Sequence, residues 1–275
     1  LEIYYSHVDV VEIMDFVDKR ARPYLASTVK AATHHDALAA FAKLTAVDAA
    51  GALHLIDRPP TMFHSALMEQ ADPHYALMRY RSTLQEDRRA LLDRYRLVDG
   101  AVKVVGVGSV GLFAIVILMI EGASGDPLFL QVKEAEASVL ERFLSKSPFE
   151  NHGERVVAGQ RRLQAASDIF LGWTKGRLGR HVYVRQLHDQ KGSAVLEAMT
   201  ADDLKTWATL SGWALARGHA RSGDPASIAG YLGDDAAFDH AIGEFAIAYA
   251  DQTERDYAAF MAAIKAGRLQ AQMGV

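Results

Sequence analysis

The chain of 275 residues has no cysteine. That excludes disulfides, thiolate zinc sites and cysteine nucleophiles, and it suits a cytoplasmic protein. It also lacks a dominant charge: Lys and Arg total 30 against 34 for Asp and Glu, a net charge of −4. Nucleic acid is therefore not an expected partner, since neutralising phosphates along a groove needs a basic excess. No basic run followed by an apolar stretch opens the chain, so no signal peptide is expected. The start at Leu1 rather than methionine suits a fragment or a processed product. No His-Glu-x-x-His pattern exists among the 11 scattered histidines, and His34-His35 reads as solvent-exposed. No serine sits in a nucleophile elbow. Internal repeats and low-complexity tracts are absent as well. Long uncharged stretches are scarce; the longest lies between Lys103 and Glu121, 17 residues at the lower edge of a membrane-spanning helix. Its glycines at 106, 108 and 111 and its valine and isoleucine content point to paired buried strands. No membrane partner is expected.

The residues present are ordinary for a globular protein: 50% hydrophobic and 23% charged, enough for a large core in one domain or two lobes. Helical spacing covers Asp9 to Arg20 until Pro23, and a second helix is predicted over His34 to Leu44. Leu53 to Ile56 reads as a short strand ended by Pro59-Pro60. One long amphipathic helix is predicted from Pro73 to Tyr95, with Glu86-Asp87-Arg88-Arg89 on its solvated face. Beyond Val98 the pattern turns to strands, at Val102–Val105, Leu112–Ile120 and Leu128–Val132. Helices are predicted next at Ala135–Leu144 and Arg155–Ala166, then strands at Ile169–Trp173 and His181–Leu187. Two further helices are predicted, Asp202–His219 and Phe238–Ala266. The fold class is α+β: a helical region over 1–97, a sheet-rich lobe over 98–190 and a helical region over 191–275.

Gly106-x-Gly108-x-x-Gly111 matches two phosphate-binding devices. A dinucleotide fold places the glycines between a strand and a helix whose N-terminus receives the pyrophosphate. Here the next residues are Leu-Phe-Ala-Ile-Val-Ile-Leu-Met-Ile, apolar on every face and β-prone. A strand–glycine loop–strand hairpin is instead the kinase device, which covers ATP phosphates with backbone amides and needs a lysine on the next strand. Lys133 stands there, at the end of a buried apolar run where a cation wants an anionic partner. The bland alternative is a surface lysine beside a functionless hairpin. Glu134, Glu136 and Glu141 are candidates to hold the lysine, with Glu141 best placed on a helix. In such a lobe Gln186 and Leu187, opening the stretch to Asp189, would form the hinge that meets adenine.

At these residues the chain resembles an uncharacterised bacterial family, domain of unknown function 2252. The resemblance is carried by Lys103-Val-Val-Gly-Val-Gly-Ser-Val-Gly111, Leu130-Gln-Val-Lys-Glu-Ala135, Arg155-Val-Val-Ala-Gly-Gln-Arg161 and Asp168-Ile-Phe-Leu-Gly-Trp173. Tyr183-Val-Arg-Gln-Leu187, His219-Ala-Arg-Ser-Gly-Asp224, Ile228-Ala-Gly-Tyr-Leu-Gly233 and Tyr249-Ala-Asp-Gln-Thr-Glu-Arg-Asp-Tyr257 extend it. The family is similar to aminoglycoside-phosphotransferase-like kinases. The resemblance therefore implies ATP and Mg as cofactors, with Gly106, Gly108, Ser109, Gly111 and Lys133 at the phosphates. It also implies a Gly-Asp-x-His-x-x-Asn-Phe-Gly and an Asn-Asp-Phe-Asp motif upstream of the glycine loop, neither of which occurs in this chain. The expected partners are thus a nucleotide, an upstream half of the same protein and an unknown substrate. Leu112-Phe113 and Ala158 depart from the family pattern.

Asp224 is a second-choice catalytic base, because Ala229 stands where a kinase catalytic loop has asparagine; helix capping or an Arg221–Asp224 ion pair is the structural alternative. Three readings are left open: an ATP-binding part of a kinase-like phosphotransferase, a non-catalytic binding or scaffolding protein, and a nicotinamide-dependent oxidoreductase, which needs a helix after Gly111.

Overall fold

A computed structural model of the chain describes residues 22–23, 26–27, 30, 37–66, 72–106, 111–187 and 195–271. The predicted helix over Asp9–Arg20 lies outside them. The fold is α+β and grows around one strand, β5 (Ala114–Glu121), whose eight residues are all buried. On one side it pairs antiparallel with β4 (Tyr95–Lys103), from Tyr95↔Glu121 to Val102↔Ile115 with a bulge between Leu97 and Asp99. On the other it pairs with β6 (Pro127–Glu134), from Ile120↔Pro127 to Ala114↔Lys133. β8 (His181–Gln186) pairs with β6 and β7 (Gly172–Lys175) with β8, while β3 (Met62–Phe63) adds to β4. The order in the antiparallel sheet is β3-β4-β5-β6-β8-β7. A separate small ladder joins β1 (Thr45–Val47) to β2 (Leu53–Leu55).

The run Ala114–Ile120 does not alternate apolar with polar because both faces of the sheet are covered. Ile115, Ile117 and Met119 of β5 join Leu128, Leu130, Val132, Val182 and Val184 in a first core, closed by Tyr80, Leu84, Leu92 and Phe170. Val116, Leu118 and Ile120, one step out of phase, join Ala101 and Phe129 in a second core on the opposite face. Ala40 and Leu44 of helix α1 (Ala37–Leu44), with Leu55 and Met62, close that one.

The single helix expected over Pro73–Tyr95 is two helices, α2 (Pro73–Arg81) and α3 (Glu86–Leu92), and Tyr95 begins β4. Ser82 and Thr83 end the first by turning their hydroxyls back to the Arg79 and Tyr80 carbonyls. Thr83 Oγ1 also accepts from the Trp173 amide, and the buried Tyr80 hydroxyl donates to the Phe170 carbonyl at 2.5 Å. Arg81 and Asp93 pair across the break. The bend thus presents both short helices to the first core, which a straight rod would reach with only one.

A second expectation also fails. No α-helix spans Ala135–Leu144; only a single 3-10 turn at Val139–Arg142 stands there, capped by Ser138. The chain remains extended because the Ala135 amide continues the pairing to the His181 carbonyl. The helix of this crossover is α4 (His152–Leu163), started by Asn151, whose Oδ1 accepts from the Gly153 and Glu154 amides. Helix α5 (Ala201–Ser222) completes a unit ending at Ser222. Residues from Gly223 on form a second unit with α6 (Pro225–Leu232) and α7 (Ala237–Lys265). No helix among the described residues is long and apolar enough to cross a membrane, and the part of the uncharged stretch from Ala114 on is strand β5.

Gly153 lets α4 press on β8: a Cβ there would stand 2.1 Å from the Val182 carbonyl oxygen, a backbone atom that cannot swing aside. Gly153→Ala should therefore destabilise the protein by about 1–3 kcal/mol, as overpacking does. Gly159→Ala on the same helix, where nothing lies within 4 Å of the new methyl, should be stabilising by up to about 1 kcal/mol. Urea melts of the two variants measure the contrast; equal effects would show that the close approach is not rigid.

Candidate functional site

Residues 104–113 link β4 to β5 and carry the glycine motif. Gly111 has φ +86° with open space around its missing side chain, so glycine is required there for backbone conformation rather than for room. Gly106 is exposed, also with nothing within 4 Å, while Gly108 and Ser109 lie outside the described residues. Beyond Gly111 the chain enters strand β5. The helix N-terminus that a nicotinamide dinucleotide needs is not at this position, which overturns that alternative.

Lys133 lies next to the end of β6, half-buried, opposite Ala114 on one side and Tyr183 on the other. Ala114 opens β5, so the lysine stands at the root of the glycine hairpin. Strand alternation puts it on the face of Phe129 and Gln131, that of the second core, and puts Glu134 on the face of the first. Glu134 is thereby removed as the lysine's partner, and it has another task. Its buried carboxylate accepts from Arg180 at 2.7 Å and from the Phe113 amide at 3.2 Å, while its own amide donates to the Phe113 carbonyl at 3.0 Å. Arg180 also lies over the Phe113 ring, 5.3 Å from its centre. This latch fixes the outgoing end of the glycine loop to β6.

The remaining expected residues scatter. Glu136 offers its backbone carbonyl to Arg155. Glu141 sits on the 3-10 turn, not on a helix, and its buried Oε1 has no hydrogen-bond partner among the described residues. At the expected hinge the Gln186 amide donates to Asp168 and the Leu187 amide to the Phe129 carbonyl at 2.9 Å, so both donors are engaged. The next residues, 188–194, lie outside the described part. Asp224 caps α6, accepting from the Ser227 hydroxyl and the Ala226 and Ser227 amides, contacts that hold its carboxyl below the usual range. It belongs to the second unit.

One cluster escaped the sequence reading. His64, just after β3, places Nδ1 2.8 Å from Asp57 and Nε2 3.0 Å from Asp99 on the β4 bulge. Asp99 also accepts from the Leu55 and Gly100 amides. His64 and Asp99 line a 530 Å³ cavity with Leu97 and Pro73. Burial alone would lower the His64 pKa, but the hydrogen bonds to Asp99 and Asp57 outweigh it and raise it. With both nitrogens held by carboxylates, the ring serves as a charged clasp between β4 and the loops around β3 and has none left for a substrate. Its residues are far apart in sequence, 35 positions from His64 to Asp99, so no local motif announces them. A histidine whose folded pKa is raised adds stability at pH below its unfolded value and loses it as pH rises through the folded one. His64→Gln should therefore lower the melting temperature more at about pH 6 than at about pH 9; thermal melts at both check it, and a pH-independent loss would show that the ring's charge is not what stabilises the clasp.

No curated protein and no solved structure matches the chain. A family profile does, over residues 1–263, described as an uncharacterized protein conserved in bacteria. With nearly the whole chain inside that match, the protein belongs to the bacterial family DUF2252.

Proposed function

We propose that the glycine hairpin and Lys133 bind the phosphates of ATP, accompanied by magnesium, in a kinase-like phosphotransferase of this family. The observation that carries the reading is the register: Lys133 faces Ala114, the first residue of the strand leaving the glycine loop. A cation is thereby held at the root of a loop whose amides can turn toward an anion. The succession of hairpin, third strand, crossover helix and two further strands agrees with a kinase small lobe. Gly106, Gly108, Ser109 and Gly111 would cover the phosphates, and Lys133 would balance their charge. Glu141 keeps a buried carboxylate oxygen without a hydrogen bond among the described residues, which a cation would relieve. Since the amides of Gln186 and Leu187 are engaged, adenine would be met by their carbonyls or by the residues just beyond. The catalytic aspartate and metal ligands would come from an upstream half of the protein, acting on a substrate still to be found.

A non-catalytic nucleotide-binding or scaffolding role is the second reading. The observation favouring it is that neither aspartate motif of the family resemblance occurs in these 275 residues. Both readings share the nucleotide, and calorimetric titration of ATP with magnesium tests it. Lys133→Ala should weaken binding by roughly tenfold or more, the worth of a charge-assisted hydrogen bond of about 1.5–3 kcal/mol. Equal affinity in the two proteins would remove Lys133 from the site. Phosphate transfer to water or to bacterial extracts, present or absent in the nucleotide-bound protein, separates the enzyme from the scaffold.

A further inference from the structure

Resting on the nucleotide reading, we propose that Lys103 is a second phosphate-binding lysine, paired with Lys133 across Ala114 to take a linear polyphosphate such as a nucleoside triphosphate tail. Strand register places the two together. Val102 faces Ile115, so the next residue of β4, Lys103, flanks Ala114, and Ala114 faces Lys133. Residues opposite one another in an antiparallel sheet share a face. Lys103, Ala114, Lys133 and Tyr183 thus form one row across four strands at the glycine-loop end, with the two lysines on either side of a methyl group. Neighbouring strands are about 5 Å apart, which separates the two lysine backbones by about 10 Å. Two flexible four-carbon stems are long enough to reach one ligand over that span, and the alanine between them fills little of it.

The charged residues of the row itself are both cationic. The next row inward is Ala101, Val116, Gln131 and Arg185, so the two rows carry three cations and no carboxylate. Arg185 is directed to Gln131 Oε1, at 3.2 and 3.1 Å from Nε and Nη2. Lys43, near the end of α1, adds a further like charge beside Lys103. Burial first, and then Lys43, push the Lys103 pKa down, the mark of a cation held where water is scarce and a neighbour repels it. An anion bound over Ala114 would offset both costs. A single phosphate can reach one ammonium closely, whereas a chain of phosphates can engage the pair.

Calorimetric titration of the full chain with ATP, inorganic tripolyphosphate and AMP tests the proposal, using wild type, Lys103→Met, Lys103→Arg and Lys133→Ala. Lys103→Met should weaken ATP and tripolyphosphate at least about fivefold and leave AMP unchanged, while Lys103→Arg keeps most of the affinity. If Lys103→Met binds ATP like wild type and Lys133→Ala does not, the second lysine is excluded and the nucleotide reading stands. If tripolyphosphate binds in a Lys103-dependent way and neither nucleotide does, the polyphosphate row stands and the nucleotide reading falls. Wild type that binds none of the three overturns both. Should Lys103→Met not fold, exposed Lys43→Glu carries the test: it should also weaken tripolyphosphate, and unchanged affinity would overturn the row.

Discussion

The sealing of β5 between two cores is the constraint on which the other features depend. Its backbone is paired on both edges and its side chains alternate into hydrophobic clusters on both faces. A strand in that position admits no register slip, because a shift of one residue would exchange the contents of the two cores. β4 and β6 are therefore locked to it residue by residue. The positions of Lys103 and Lys133 at the ends of β4 and β6 are consequences of that lock.

Charged residues stand at both ends of this strand, and the ends differ. At the Glu121 end the carboxylate closes its own turn, accepting from the Ser124 and Ala123 amides and from Arg94, contacts that lower its pKa to about 2. That carboxylate is answered locally. At the glycine-loop end, the face of the first core is likewise answered by the Glu134–Arg180 pair. The opposite face gathers lysines and an arginine with no carboxylate in the same rows.

Much of this was legible in the sequence because it is written locally. An uncharged β-prone run interrupted by glycines can hardly be anything other than a buried hairpin, and a lysine ending the next apolar run sits in a strand whose length the run itself sets. The features that escaped were decided by distant partners. Nothing in Ser82 and Thr83 alone breaks a helix; the break is fixed by Thr83 meeting Trp173 and by the Arg81–Asp93 pair. The segment holding Glu141 has helical composition, yet the Ala135 pairing to His181 keeps its start extended. His64, Asp57 and Asp99 converge only because β3 joins β4 and the β4 bulge turns Asp99 to the same place.

The latch at Phe113 shows how a loop's root can be held by backbone rather than by side chain. Leu112-Phe113 are both apolar and follow the glycine loop directly, where a loop's root needs an anchor. The bonds that anchor this point run through the Phe113 amide and carbonyl to Glu134, and any residue except proline offers both. The side chain is then free to serve the core: the Phe113 ring packs against the first cluster and lies beneath Arg180, whose guanidinium is already held by the same glutamate. The root of the loop is thus anchored through the Phe113 backbone, and its side chain is left to the core.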